Sequence, residues 1–409
     1  WRARAAAVGE AEEPVEVRGL DEDGARMREH PLSPEVVEDF VRSVVNEDLH
    51  ARRVLSLANA TLGVIHAASL AVATVGRALA QARGLEPKHA IKQVDRLLSN
   101  TGVNVWELFA SWVPMVLAQR TEAVVALDWT DFEPDDHSTV CLYLLTKHGR
   151  ATPLLWHTAL KSGLAGNRNE AEDLVLRRLR EVLPEGVKVT VVADRGFGDV
   201  ELYELLKAEL GFDFVIRFRE CIHVEDEKGV VRSAAEWVPR SGRATALRNA
   251  TVTGRRYRLA AVVVVKALGM KDAWCLATSL AASAAEVVKL YGRRFSIEES
   301  FRDTKDWRFG MGLSSARLKD PDRRDRLLLV SAMAVALLTL LGAAAEDTGL
   351  DRTLKANTVA RRTHSLFNQG LYFYGALPMM KVHQFEPLMR RFGELVLEQM
   401  FFREVYAVL

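Results

Sequence analysis

A run of charged and aromatic side chains between Tyr291 and Lys305 has the spacing of one helix face. Five residues follow one another at intervals of three, four, four and three positions: Tyr291, Arg294, Glu298, Arg302 and Lys305. At about 100° per residue, these positions fall within roughly 80° of one face. A carboxylate flanked by cations along one face suits a site that holds a metal ion and grips phosphate oxygens beside it. A solvated helix with ion pairs one turn apart has the same spacing, so this segment alone leaves both interpretations open.

Two aspartates upstream each follow a short apolar run. Residues 123–127 precede Asp128, and residues 187–193 precede Asp194. Such short runs of Val and Ala, bounded by polar turns, are typical of strands covered on both faces. An acid directly after such a strand lies at the carboxyl edge of an α/β sheet, where ligands tend to bind. Each Asp alone could be a turn residue. Together with Glu298 they provide three carboxylates, and oxygen ligands of this kind suit a pair of Mg²⁺ ions.

The helical motif resembles the signature of a known enzyme family. Tyr291-x2-Arg294-x3-Glu298-x6-Lys305 is similar, residue by residue, to the Tyr-Arg-Glu-Lys signature of one group of bacterial insertion-sequence transposases. These are DDE transposases of the IS-four type, relatives of the transposase of the composite transposon Tn-five. The resemblance runs over about residues 62–370.

That resemblance implies a ribonuclease-H-like catalytic core in which Asp128, Asp194 and Glu298 hold two Mg²⁺ ions, with Mn²⁺ as a substitute. Asp128 and Asp194, the latter in the context ADRGFGD, match the first two acids of the family triad. Such a site cleaves DNA at the ends of an element and joins the freed 3′-hydroxyl to target DNA, with one metal on the attacking oxygen and one on the leaving oxygen. The expected function is therefore cut-and-paste transposition of an insertion sequence.

Two alternatives stay open. One is a non-mobile or domesticated DNA-binding nuclease on the same fold. The other is a hydrolase with two catalytic carboxylates, such as a glycosidase. That second alternative leaves Arg294, Lys305 and the basic clusters of the chain without a role.

The resemblance also implies DNA contacts for five side chains. Arg294 and Lys305 would hold phosphates near the cut, with Arg302 as an accessory contact. Tyr291 would order the signature helix or contact a phosphate. Trp274 corresponds to a tryptophan that stacks on an extruded base in a better-known relative, which offsets the cost of unstacking that base. The alternative for Trp274 is packing of a strand into the core.

Patterns along the chain predict its organisation. Two strands around Gly149, a helix over residues 170–183 and a strand over residues 212–218 are expected beside the two aspartate strands. Pro87 marks a helix start. Together with these patterns, the resemblance implies an α/β fold class with these parts: an acidic, disordered tail (1–30), an all-helical DNA-binding domain (31–120), the ribonuclease-H-like core (121–218 and 281–345), a β-rich insertion (219–280) and a helical C-terminal region that could mediate dimerisation (346–409).

Residues 327–345 form one uncharged apolar stretch. Its length meets the criterion for a membrane span, although Ser331, Thr339 and Gly342 also suit a helix buried in a large core. The family resemblance implies a core helix here, and that is the interpretation we adopt.

Composition is consistent with a soluble, intracellular protein, and the resemblance implies a location in the bacterial cytoplasm, at the nucleoid. The chain has 409 residues, three widely separated cysteines and a net charge of +1 from 55 basic and 54 acidic residues. The cysteines predict neither a disulfide framework nor a zinc site. Basic clusters at residues 88–92, 293–308, 317–326 and 355–362 favour a double-stranded DNA partner despite the small net charge. A homodimer is expected in the synaptic complex. The start at Trp1 predicts a truncated or renumbered chain, and no signal peptide is expected.

Overall fold

The computed structural model describes residues 32–45, 49–308 and 310–409, so the predicted tail over residues 1–30 lies outside the described residues. The helices are α1 Pro34–Val45, α2 Ala51–Ala67, α3 Val72–Arg83, α4 Pro87–Leu98, α5 Val105–Leu117, α6 Arg168–Val182, α7 Val200–Glu204, α8 Ala284–Gly292, α9 Phe295–Lys305, α10 Pro321–Asp347, α11 Leu366–Ala376, α12 Val382–Phe402 and α13 Val405–Val408. The strands are β1 Glu122–Phe132, β2 His137–Leu145, β3 Ala151–Leu160, β4 Lys188–Ala193, β5 Asp213–Arg217, β6 His223–Glu225, β7 Val231–Ser233, β8 Thr245–Arg248, β9 Thr251–Val252, β10 Tyr257–Arg258, β11 Ala261–Val265 and β12 Trp274–Thr278.

A large mixed sheet organises the chain, in the order β3-β2-β1-β4-β5-β12-β11-β8. β1, β4 and β5 are parallel, and the other neighbours are antiparallel. Its inner strands are rich in Val and Ala, as in the sequences KVTVVA and AVVVV, because both sheet faces are covered. The predicted α/β class is confirmed.

The predicted end of the first aspartate strand is wrong. The prediction placed this strand over residues 123–127, whereas β1 continues through Asp128 to Phe132. The reason is its partner: β2 pairs with β1 as far as Phe132, opposite His137, and a short 3-10 turn at Glu133–Asp135 closes the hairpin. Asp128 therefore lies inside a strand, while Asp194 directly follows β4 as predicted.

The β-rich region over residues 219–280 divides between two sheets. β8, β11 and β12 extend the main sheet beyond β5, whereas β10, β9, β6 and β7 form a separate four-stranded sheet. The β-rich character agrees with the sequence pattern, and the division into domains stays a prediction.

α10 contains the apolar stretch and is a core helix. Among the described residues it alone is a single helix long and apolar enough to cross a membrane, and 89% of its most apolar window is buried inside the protein. α2 and α3, bent by 97°, meet that test only as a pair. α11 crosses α10 closely: a Cβ at Gly342 would lie 1.9 Å from the Leu366 carbonyl oxygen, and one at Gly370 would lie 1.8 Å from that of Leu338. Any larger residue at either glycine would separate the two helices.

Two further groups of helices lie at the two ends of the sequence. α1 to α5 agree with the predicted all-helical region, and Pro87 is the first residue of α4 as predicted. α11 to α13 agree with the helical C-terminal region. α12 packs against α10 and α1, so this region covers the core.

Candidate active site

The two aspartates meet at the end of β4. The parallel register of β1 and β4 pairs the residues immediately before Asp128 and Asp194, so the two acids lie side by side. Asp194 caps a short 3-10 turn, and its Oδ1 accepts the Gly196 N–H at 2.7 Å. Asp128 Oδ1 accepts the N–H of Trp129 at 2.9 Å. These bonds orient both carboxylates at the sheet edge.

Arg294 connects Asp128 to Glu298. Its Nη1 donates to Asp128 Oδ2 at 2.8 Å, and its Nη2 donates to Glu298 Oε1 at 2.7 Å. The Arg294 side chain is only 8% exposed, whereas that of Glu298 is 52% exposed. The structure thus gathers the predicted acids and Arg294 in one place, with the guanidinium between two of the carboxylates.

Burial and charge act against each other in this cluster. Burial raises the pKa of Asp128 to about 6, and the charge of Asp194 adds to the rise, although the Arg294 guanidinium opposes it. Burial by itself would lower the pKa of Arg294, but the charge of Asp128, together with those of Glu298 and Asp194, holds it above its usual range. The guanidinium is therefore firmly charged and neutralises negative charge in the cluster.

The prediction of one continuous helix face from Tyr291 to Lys305 is wrong. α8 ends at Gly292, and α9 begins at Phe295. Between them the N–H groups of Arg293 and Arg294 donate to carbonyls three residues earlier, at 3.2 and 3.0 Å. Such bonds tighten the turn relative to an α-helix. The four signature positions and Arg302 therefore do not share one stripe.

The two cations at the end of α9 point in different directions. Lys305 Nζ donates to Thr130 Oγ1 at 2.9 Å and to the Asp131 carbonyl oxygen at 2.7 Å. Arg302 forms an ion pair with Glu299 on the same helix, and its side chain is 55% exposed. Lys305 thus fastens α9 to the end of β1, while Arg302 faces solvent.

Trp274 and Tyr291 lie in an aromatic cluster beside Arg294. The Trp274 ring contacts Tyr291 edge-on, with centroids 4.8 Å apart, and stacks on Phe295 at 5.8 Å. Tyr291 is buried, and burial raises the pKa of its hydroxyl. Tyr291 and Trp274 therefore stabilise the turn that presents Arg294. Stacking of a base on Trp274 stays a prediction.

The sequence interpretation missed Glu172, which holds the residue after Asp128. Trp129 Nε1 donates to Glu172 Oε1 at 2.6 Å, and the Arg168 guanidinium lies 5.0 Å from the Trp129 ring centroid. Burial raises the pKa of Glu172 to about 7. A signal was present: Glu172 shares the buried face of α6 with Val175, three positions on. A carboxylate within an apolar stripe indicates a buried partner.

The carboxylates fit a divalent cation in their chemistry. Asp128, Asp194 and Glu298 offer only oxygen ligands, which Mg²⁺ prefers, and Asp128 and Glu298 already surround a positive charge. Within residues 32–45, 49–308 and 310–409, no three His, Cys, Asp or Glu side chains are arranged to hold a metal ion. Arg294 explains this arrangement, because it bonds to two of the three carboxylates.

Comparisons with known proteins identify one family. The sequence profile of a family described as "Transposase DDE domain" matches residues 122–337. No curated protein matches the chain. One similar solved structure is the Argonaute of Marinitoga piezophila in complex with 5′ OH guide RNA and target DNA; it is 9% identical, with 61% of this chain and 35% of that chain covered and a TM-score of 0.19. A TM-score this low does not indicate a shared fold.

Proposed function

The chain belongs to the Transposase DDE domain family, and we propose that it catalyses cut-and-paste transposition of an insertion sequence of the IS-four type. Family membership makes it a DDE transposase, an enzyme that acts on DNA. The cut-and-paste route and the Tyr-Arg-Glu-Lys signature are parts of the proposal. The observation that carries it is the register that brings Asp128 beside Asp194, with Glu298 joined to Asp128 through Arg294.

In this proposal Asp128, Asp194 and Glu298 hold two Mg²⁺ or Mn²⁺ ions at the end of β4 in a ribonuclease-H-like core. When bound, such ions activate the attacking oxygen and stabilise the leaving oxygen of a phosphodiester. The Arg294 guanidinium bonds to Asp128 Oδ2 and Glu298 Oε1, so it would have to leave these oxygens before they could hold an ion. Its freed N–H groups are suited to bidentate contact with a phosphate oxygen pair.

The other signature residues position this machinery. Lys305 fixes the end of β1 through Thr130 and the Asp131 carbonyl, and Tyr291 supports the turn before α9. In the proposal Arg302, which faces solvent, adds a phosphate contact. Trp274 reaches an extruded base only if Phe295 moves off its ring, since the two are stacked.

The remaining parts of the proposal concern partners. The N-terminal helices bind the terminal inverted repeat of the element, and two copies of the chain pair in the synaptic complex through the C-terminal helices. The protein acts in the bacterial cytoplasm, at the nucleoid. Support for these parts is the family membership and the helical character of both regions.

The test is cleavage of a duplex carrying the inverted repeats that flank the gene. Asp128→Asn, Asp194→Asn and Glu298→Gln should each abolish Mg²⁺-dependent cleavage while leaving binding of the duplex largely intact. Asp131→Asn is the matched control, because Asp131 is a nearby acid bonded instead to Ser138 and Lys161. Cleavage at full rate by any of the three variants would remove that residue from the site. Cleavage that persists in EDTA would remove the metal.

A further inference from the structure

A second cluster of cations lines a cavity at the other end of β1. The cavity has a volume of about 420 Å³ and is lined by Arg120, Lys147 and Arg293, with Glu122 and the last residue, Leu409, at its walls. Lys147 is exposed and its backbone N–H donates to the Leu409 carbonyl oxygen at 3.0 Å. Three cations and one acid give this cavity a positive balance.

Neither arginine of the cavity has an acidic partner within the described part of the chain. Arg120 Nη1 makes only long contacts, at 3.4 and 3.5 Å, with the carbonyl oxygens of Val116 and Leu117. Arg293 Nη2 donates to the Leu145 carbonyl oxygen at 2.7 Å. Carbonyl oxygens satisfy hydrogen bonds but leave the positive charges without compensation. Most N–H donors of the two guanidinium groups therefore remain for another acceptor.

Arg293 lies close enough to Arg120 to disfavour the charge of Arg120. Burial lowers the pKa of Arg120, and the charge of Arg293 lowers it further. Burial also lowers the pKa of Arg293. A bound anion would remove this repulsion, and a planar guanidinium pair suits the tetrahedral oxygens of a phosphate.

The cavity is close to the carboxylate cluster along β1. The β1–β2 register pairs Val125 with Leu144, next to the carbonyl that Arg293 contacts. Val124 and Glu122, which line the cavity, lie four and six residues before Asp128, distances of about 13 and 20 Å at the rise of a strand. Phosphates on one strand of a DNA duplex follow at about 3.4 Å along the axis. A strand held at the carboxylates would therefore reach the cavity within about four to six nucleotides.

We propose that Arg120 and Arg293 together bind one backbone phosphate of the DNA strand that is cut, about four to six nucleotides from the scissile bond. This inference rests on the proposed function, because it assumes that the strand enters the carboxylate cluster. Lys147 at the cavity wall adds long-range attraction.

The experiment measures binding of a fluorescein-labelled 20-nucleotide single strand and of its duplex by anisotropy, over a range of KCl concentrations in EDTA. Arg120→Gln should raise Kd about tenfold and reduce the slope of log K against log[salt] by about 0.7 for the single strand and 0.9 for the duplex. The double variant with Arg293→Gln should lose little more than either single variant, since both side chains hold one phosphate. Arg390→Gln, an exposed arginine on α12, is the matched control and should leave the slope unchanged.

The choice of Arg120 guards against a loss of binding that is caused only by misfolding of the variant. Arg120 makes only long contacts, so its Gln variant should unfold at the wild-type temperature. Arg120→Lys keeps the charge and should restore the salt slope but only part of the affinity. Wild-type slopes in both Gln variants would overturn the phosphate site while leaving the carboxylate cluster to its own cleavage test. A wild-type protein that binds neither DNA would overturn both.

Discussion

Arg293 and Arg294 are neighbours in sequence and lie in opposite electrostatic settings. Arg294 is buried between Asp128 and Glu298, whereas Arg293 turns toward Arg120 and a carbonyl oxygen. The tight turn between α8 and α9 separates them. A cation surrounded by acids indicates a place where positive charge is needed. A cation that faces another cation indicates a place where an anion is missing. In our two proposals, metal ions bind on one side of the turn and a DNA phosphate binds on the other.

Removing Arg294 tests the side of the turn that holds the carboxylates, and it should have the largest effect on stability. Arg294→Met leaves Asp128 and Glu298 without their cation, so the free energy of unfolding without metal should fall by about 3–5 kcal/mol. The same change should strengthen Mn²⁺ binding, because the carboxylates no longer have a competing partner. Urea unfolding and calorimetric titration with Mn²⁺ measure the two quantities. Arg302→Met is the control for a cation on the same segment. Weaker Mn²⁺ binding by Arg294→Met would show that the guanidinium assists the metal instead of competing with it.

Glu172 provides a contrast to Asp128: it is a buried carboxylate that bonds to a neutral donor, the Trp129 indole, and not to a cation. Its pKa of about 7 lies above its ordinary value of 4.5. The protonated form is thus favoured in the folded state: this contribution to stability is fully present below about pH 4.5 and is lost as the pH rises through about 7. A difference of about 2.5 pKa units corresponds to about 3 kcal/mol.

Glu172→Gln keeps an acceptor for Trp129 and removes the titration. The variant should match wild type in free energy of unfolding at pH 4.5 and exceed it by up to about 3 kcal/mol at pH 8. Urea unfolding at a series of pH values measures the difference. Glu170→Gln, an exposed acid in the first turn of α6, serves as the control. Parallel pH profiles for wild type and Glu172→Gln would contradict the burial of an acid at this position.

Lys305 tests whether a signature cation is structural. Lys305→Met removes the donor from Thr130 Oγ1 and from the Asp131 carbonyl oxygen, so stability should fall by about 1–2 kcal/mol. Amide hydrogen exchange at the end of β1 should also rise, because α9 no longer fastens it. Wild-type exchange there, together with a reduced salt slope for DNA binding, would instead place Lys305 on the DNA.

Arg302 should show the smallest effect. Its exposed ion pair with Glu299 within one helix contributes little, so Arg302→Ala should change the free energy of unfolding by less than about 0.5 kcal/mol. In Arg302→Ala, the slope of log K against log[salt] for binding of duplex DNA should fall by no more than about 0.9, the contribution of one phosphate contact. If the free energy of unfolding fell by more than about 1 kcal/mol, Arg302 would have to make buried contacts, contrary to its exposed position.

Local patterns predicted the strands and acids well, and the contacts between distant segments less well. The apolar run before Asp194 was sufficient to place β4, because a strand buried on both faces is recognisable from its own residues. The end of β1 was not, since it depends on pairing with β2. The helical spacing from Tyr291 to Lys305 concealed a turn of only two residues. That turn is decided by the aromatic packing of Tyr291 and Trp274, which come from separate elements.

The sequence named Asp128, Asp194, Glu298 and Arg294, which the structure brings together, but it did not predict how they contact one another, and their roles stay predictions. Asp128, Asp194 and Glu298 were identified, while the position of Arg294 between two of them was not. A guanidinium can bond along its own helix or across to a sheet, and sequence spacing does not distinguish these outcomes. The contact between Arg120 and Arg293 was likewise not predictable, because the two residues lie far apart along the chain.

The close crossing of α10 and α11 limits how the chain can be divided for expression. The stretch that matches the family, residues 122–337, stops inside α10, five residues before Gly342 and its contact with Leu366. A recombinant fragment cut at that boundary would lose the last turns of α10 and all of α11, leaving apolar side chains uncovered. Such a fragment would aggregate. A soluble fragment needs to extend through α11 at least, so the practical unit of this enzyme is longer than the segment by which its family is recognised.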